Sequence, residues 1–373
     1  MQSKNMNHSI KMCGPSITQH EKNIILKMMD DGWDSYQYVE EFEERFAKWH
    51  DRRFCLMTPC CTHAIHLGLI ALGINIGDEV IVPETTWTGS VAPITYTGAR
   101  PVFCDVEKDN WCLSSDTINT QITSKTKAVI AVDIYGFMPD YMKLEKLCAE
   151  NNIVIIEDAA EALGSSLRGI RAGKFGLFSV HSFHRTKTIT TGEGGALLTD
   201  DENFYKRCKF LRDHGRSAEQ PYLILEATTK YMPSNLMGAM ACAQLDRINE
   251  LISIKQAIRD RYLSNFEGQD FDFTLTSDNT NFVNGCWATT LVIENEAFNS
   301  SSTIKNLAFK GIPLRPFFRP LSSMPAYTNY KNKSNNSNSD WLFKKGITLP
   351  SHYELDNNTI DYISDHLLKE IVS

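Results

Sequence analysis

Two parts of the 373-residue chain have residue types and spacing suited to chemistry. The run IVIIED ends in Glu157 and Asp158, and open α/β sheets bind ligands at the carboxyl ends of their strands. Lys187 follows the next strand-like run, 29 residues after Asp158, and precedes the glycine-rich turn Gly192, Glu193, Gly194 and Gly195. That spacing lets a carboxylate and an amine reach one crevice. An amine facing a carboxylate suits a Schiff-base cofactor. The lysine holds pyridoxal phosphate as an imine, and the carboxylate keeps the pyridine nitrogen protonated so that the ring becomes an electron sink. The phosphate needs a helix N-terminus, and Thr58 to His66 supplies one, with Thr62 as cap and hydroxyl donor. The plainer alternatives are that Asp158 caps the following helix and that Lys187 is a solvated surface lysine.

The elements that must position these residues are legible in the hydropathy pattern. Val39, Phe42, Phe46 and Trp49, with Glu40, Glu41, Glu43 and Glu44 between them, form an amphipathic helix, and another helix precedes it. From about residue 53 to 200, short β-rich runs alternate with helical segments: FCLM, EVIVP, PVFCDV, KAVIAVDIYG, IVIIEDA, LFSVHSF and GALLTD. That alternation predicts a doubly wound, mostly parallel α/β sheet. A long helical stretch from about Leu236 to Phe266 leads into a region of different texture with WATTLVIE, GIPLRPFFRP and a closing helix carrying Ile360, Ile363, Leu367 and Ile371. The expected division is a large domain over 1–250 and a small α+β domain over 251–373. The run NKSNNSNSD at 332–340 reads as a solvated loop.

Composition limits the classes of function. Lys and Arg number 38 against 45 Asp and Glu, a net charge of −7, which argues against a chain built to cover a nucleic-acid backbone or an anionic membrane. The ten cysteines form no CxxC pair, so neither a zinc ribbon nor a secreted disulfide framework is expected. Cys104, Cys148, Cys208 and Cys242 read as small buried hydrophobes. His181 and His184 lack a third ligand at metal spacing, and no metal is expected. The first residues lack the apolar core of a signal peptide and no apolar run approaches ~20 residues, so a cytoplasmic protein is expected.

The stretch HSFHRTKTITTGEGG, together with IEDAAEALGS, GDEVIVPETTW, RDHGR and RPFFRP, resembles the DegT/StrS type of sugar-nucleotide aminotransferase, pyridoxal-phosphate enzymes of fold type I. KTITTGEGG and RPFFRP are most similar to the GDP-perosamine-synthase-like 4-aminotransferases within it. The resemblance runs from about Gly14 to the end. It implies a mixed, mostly parallel sheet in the large domain. Lys187 matches the lysine that bonds the cofactor and shuttles the proton. Asp158 matches the pyridine-nitrogen partner, and Glu161 falls near the ring hydroxyl. Trp87 matches the stacked aromatic, Thr62 and His63 fall in the phosphate cup, and Ser182 completes it. Lys230, in KYMPSN, falls in the stretch that crosses to the other subunit's phosphate in a homodimer. His184, Arg315 and Arg319 are the implied substrate-side residues. The implied reaction moves the amino group of L-glutamate, by way of pyridoxamine phosphate, to a 4-keto-6-deoxy sugar nucleotide for O-antigen or related glycans.

Each role has a competing structural one: Trp87 as core packing, Ser182 as an ordinary strand-end hydroxyl, Arg319 as a solvated cation. The chain departs from the family's pattern where Cys60 and Cys61 replace Ser-Gly in the cup, where Lys230 replaces Asn, and where Arg319 replaces Tyr. A 3-aminotransferase and a non-catalytic protein of the same fold are the other readings. A dehydratase of the family would carry histidine in place of Lys187, and a desulfurase would need a mobile catalytic cysteine, which Cys286 in GCWATTLVI does not resemble.

Overall fold

The β-rich runs between residues 54 and 199 assemble into one seven-stranded sheet in a computed structural model that describes residues 9–269, 271–330 and 336–372. We name β1 (Phe54–Thr58), β2 (Glu79–Pro83), β3 (Arg100–Cys104), β4 (Thr126–Val132) and β5 (Val154–Asp158). The strands Phe178–Ser182 and Gly195–Thr199 complete the sheet. Its order is β1, Gly195–Thr199, Phe178–Ser182, β5, β4, β2, β3. Gly195–Thr199 alone runs antiparallel to its neighbours. The connection from Phe178–Ser182, residues 183–194, carries no crossover helix and folds back as the loop that holds Lys187.

Helix α1 (Gln19–Asp31) packs on the helix Asn235–Asp246, and α2 (Gln37–Trp49) and α3 (Cys61–Ala71) pack on this sheet. In α2, Val39, Phe42 and Phe46 face inward and are buried, as their spacing predicts. The anticipated helix from Leu236 to Phe266 is two helices, Asn235–Asp246 and Ile248–Phe266, separated at Arg247. Arg247 is pinned there because its guanidinium meets Glu21 at 2.6 Å and Glu250 at 2.8 Å. The second helix serves two cores: Ile248, Leu251 and Ile252 pack with α2, while Ile258, Tyr262 and Phe266 pack against the C-terminal sheet.

That C-terminal sheet is antiparallel, in the order Phe273–Leu275, Thr290–Ile293, Gly346–Thr348, Arg315–Pro316. The closing helix Asn357–Val372 buries Ile360, Ile363, Leu367 and Ile371 against it. Phe317, Leu321, Tyr327 and Leu342, however, join the core of the large sheet, so the later part of the chain packs back over the earlier part.

The low-complexity run corrects one expectation. Residues 332–335 lie outside the described residues, but Ser337–Lys345 is a helix, not a solvated loop. Its own N-cap, Asn336, makes no side-chain cap bond. Asp105, just past β3, takes that role: its Oδ2 accepts from the Asn338 N–H at 3.0 Å, and its Oδ1 from the Ser339 N–H at 2.9 Å and the Ser339 hydroxyl at 2.7 Å. A carboxylate at a helix N-terminus satisfies open N–H groups and meets the positive end of the dipole. Composition alone could not reveal a cap donated from more than 200 residues away.

Candidate active site

Asp158 is the last residue of β5, and its side chain points into a crevice at the carboxyl end of the sheet. No helix follows it to be capped. Its Oδ1 accepts from the Ala160 N–H at 3.1 Å in a local turn, and its Oδ2 accepts from the Ser90 hydroxyl at 2.7 Å. Burial pushes its carboxyl pKa up, and the Ser90 and Ala160 bonds and the charge of Lys187 hold that rise back. Glu161 is also buried. Its Oε2 accepts from the Tyr135 N–H at 3.0 Å, and its Oε1 lies 3.2 Å from Lys187 Nζ. Burial raises its pKa, and Lys187 again opposes the rise. Lys187 is therefore no solvated lysine, because its side chain is 13 % exposed and paired.

Trp87 is 62 % exposed, which excludes core packing. It precedes the short turn of helix Thr88–Ser90, so one segment supplies both the open indole and the hydroxyl on Asp158. Gly89 lies close behind: a Cβ there would sit 3.2 Å from both Thr62 Oγ1 and the Trp87 ring. Thr62 thus stands beside Trp87. It is not the helix cap, since α3 begins at Cys61 with Cys60 as its cap, and Cys60 makes no side-chain cap bond. The first N–H groups of a helix lack intrahelical partners, so α3 presents donors at this point. The strand start at Gly195 presses on that end, where a Cβ would come within 2.4 Å of the Cys61 nitrogen. Ser182 is paired with Gly195 and so lies alongside it. Burial pushes the thiols of Cys60 and Cys61 up, which makes them poor nucleophiles.

His63 stacks on Tyr231 with centroids 4.0 Å apart and planes 7° apart, and its buried Nδ1 has no partner. Lys230, the neighbour of Tyr231, pairs with Asp213 at 2.5 Å within this chain. His184 bonds Thr186 Oγ1 at 3.0 Å and lies 3.7 Å from Glu193, and burial lowers its pKa. Arg315 is exposed and near enough for its charge to act on Tyr135 and His184. Arg319 is exposed, with its guanidinium 4.6 Å over the ring of Phe343. Contacts and charge thus bring Asp158, Glu161 and Lys187 together beside Trp87 and Thr62, while Ser182 lies alongside Gly195 and His63 follows Thr62 on α3.

Three residues of this crevice escape a reading of the sequence: Ser90, Tyr135 and Trp287. Ser90 follows Trp87 by three positions, which is the single local signal for it. Tyr135 and Trp287 carry none, because their contacts with Glu161 and Lys187 are set by the packing of distant segments. Cys286 is fully buried with its thiol pKa raised by burial, so it is not a mobile nucleophile. No cluster of metal ligands occurs among the described residues.

Residues 15–368 match the model of the DegT/DnrJ/EryC1/StrS aminotransferase family. The chain belongs to this family. It is 35 % identical to a GDP-perosamine synthase of Escherichia coli O157:H7 over 356 residues, covering 95 % of this chain and 96 % of that one. It is 34 % identical to the GDP-perosamine synthase of Vibrio cholerae, covering 90 % of this chain and 92 % of that one. The candidate sugar aminotransferase Spr1654 of Streptococcus pneumoniae, solved in its PMP form, superposes with a TM-score of 0.91 at 30 % identity over 97 % of this chain and 98 % of that one. The fold is that of the type I aminotransferases, as the family match and this superposition require.

Proposed function

We propose that the chain is a pyridoxal-5′-phosphate-dependent aminotransferase that transfers the amino group of L-glutamate to C4 of a 4-keto-6-deoxy sugar nucleotide, giving a 4-amino-4,6-dideoxy sugar for glycan assembly. The observation that carries this reading is the buried Lys187–Glu161 pair, which shares a crevice with Asp158 and an uncovered Trp87 in a chain so similar to GDP-perosamine synthases.

The residues present fit the cofactor. Trp87 offers a largely exposed aromatic ring, the buried Nδ1 of His63 lacks a partner, and the N-terminus of α3 is left without a side-chain cap. Thr62, Ser182 and the first N–H groups of α3 would hold the phosphate. When bound, pyridoxal phosphate supplies an electron sink that makes the proton on the nitrogen-bearing carbon removable. Asp158 would keep the pyridine nitrogen protonated, and the Ser90 hydroxyl holds that carboxylate in place. Lys187 carries the proton to and from the reacting carbon, and Glu161 orients its amine. Arg315 and His184, close enough for their charges to interact, and the exposed Arg319 would meet the sugar nucleotide.

A homodimer completes the site in this reading. The hairpin leading to Lys230 exposes Tyr222, Ile224 and Leu225, apolar side chains that a second subunit would cover. Lys230 is then the cation offered to the partner's cofactor phosphate. The relatives favour a GDP carrier. The test is to incubate the purified protein with pyridoxal phosphate, L-glutamate and GDP-, UDP- or dTDP-linked 4-keto-6-deoxy sugars. A GDP sugar aminated at C4, identified by mass spectrometry and NMR, is expected. Amination at C3, or none with any substrate, would overturn the assignment.

A further inference from the structure

Lys187, Glu161, Tyr135 and Trp287 close into a ring of contacts. Lys187 Nζ lies 3.2 Å from Glu161 Oε1 and 3.6 Å from the centroid of the Trp287 ring. The other Glu161 oxygen accepts the Tyr135 N–H at 3.0 Å. The Tyr135 ring lies parallel to Trp287, at 5.9 Å and 9°, and Phe318 lies on Tyr135 at 5.2 Å and 16°. Trp287 cannot swing away freely, because its Nε1–H donates at 2.7 Å to the carbonyl of Thr186, the residue before Lys187. Two non-glycine residues with left-handed backbone shape this ring: Tyr135 at φ 50° and Cys286, which aims Trp287, at φ 56°. Such conformations persist only where the surroundings enforce them.

An ammonium is attracted both to a carboxylate and to the face of an indole. We propose that Trp287 is a positioning residue for Lys187: its face, opposite Glu161, holds the unbonded, protonated amine at one place in the crevice between proton transfers. This rests on Lys187 being the proton-moving amine. The other charged or titratable groups within reach of Lys187 are Asp158, Cys61 and His184, and none of them is altered by changing Trp287.

The test uses the full chain loaded with pyridoxamine 5′-phosphate, which leaves Lys187 unbonded. An amine-directed reagent is applied at fixed pH, and the rate of modification of the Lys187 peptide is quantified by mass spectrometry. Losing one cation–π contact should raise the labelling rate by about 2- to 30-fold in Trp287→Leu, and by less in Trp287→Phe, which keeps a ring. Both variants should lose kcat with little change in KM for the sugar nucleotide. A wild-type labelling rate in Trp287→Leu would overturn the proposal. If Trp287→Leu does not fold, Trp287→Met decides, with an unchanged rate overturning it. Turnover by Lys187→Ala would sink the functional reading itself, whereas an unchanged labelling rate with an essential Lys187 sinks only the role of Trp287.

Discussion

Glu157 and Asp158 are adjacent carboxyls, both buried, on opposite faces of β5, and they sit in different kinds of surroundings. On the crevice face, Asp158 and Glu161 meet a hydroxyl and an ammonium, groups on separate segments that open toward the uncovered face of Trp87. On the other face, the oxygens of Glu157 accept the backbone N–H groups of Gly173 at 2.7 Å and Phe175 at 2.8 Å. Arg52 binds the carbonyls of the same loop, donating to Gly173 at 2.9 Å and to Phe175 at 2.5 Å. The His50 and His181 rings lie beside it, centroids 4.4 Å apart and tilted by 47°. Burial raises the pKa of both Glu157 and its neighbour Asp133. Burial and perturbed acidity are therefore common to both faces. What separates them is the partner, since backbone groups of one loop fix architecture while side chains from several elements can exchange a partner for a ligand.

The largest expected effect breaks the crevice face. Lys187→Ala should reduce single-turnover transfer by at least about 10²–10⁴-fold, with the thermal transition little changed. A stable variant that keeps turnover would erase the distinction between the faces. Next, Asp158→Asn should depress transfer strongly at little cost in stability, whereas Glu157→Gln should do the reverse. Turning an amide toward two N–H groups leaves a donor facing donors, at about 1–3 kcal/mol by urea denaturation. Equal losses of activity in the two variants would contradict the assignment of roles.

Gly173→Ala probes the second face alone. The residue has φ 100°, and a Cβ would come within 2.5 Å of His50 and 2.6 Å of His181, so a loss of about 1–3 kcal/mol is expected in thermal unfolding while the intact fraction keeps its specific activity. The smallest effect concerns pH. Because burial raises the folded-state pKa values of Glu157 and Asp133, the folded chain binds more protons than the unfolded one. Stability contributed by this pair is then greatest in acid and declines as pH rises from about 4 upward. Asp133→Asn should flatten that decline in a series of denaturation curves, and an unchanged slope would show that burial of Asp133 does not contribute to it.

Much of the crevice was legible because its residues are local punctuation. Asp158 ends an apolar run, Lys187 precedes a glycine turn, and Trp87 closes EVIVPETTW. Cys60 in the cap position was less legible, since the boundary between cap and first turn differs by one residue and Thr62 is the better cap by type. Tyr135 and Trp287 were not legible at all. Their aromatic character fits core packing equally well, and Trp287 reaches Lys187 across 100 residues of chain. The helix Ser337–Lys345 was missed for the same reason, because its cap, Asp105, lies just past β3.

By itself the amino-acid sequence determined the order of elements and the family, and it singled out Asp158 and Lys187 as neighbours in space. These depend on periodicity and on residue types at short range, where neighbours along the chain are neighbours in space. Only the tertiary structure decided that Glu157 serves the loop while Asp158 serves the crevice, that Asp105 caps a distant helix, and that an indole from the C-terminal part lies against Lys187. Such contacts depend on how separate segments pack, and side chains far apart in sequence meet only after each has buried its own apolar face.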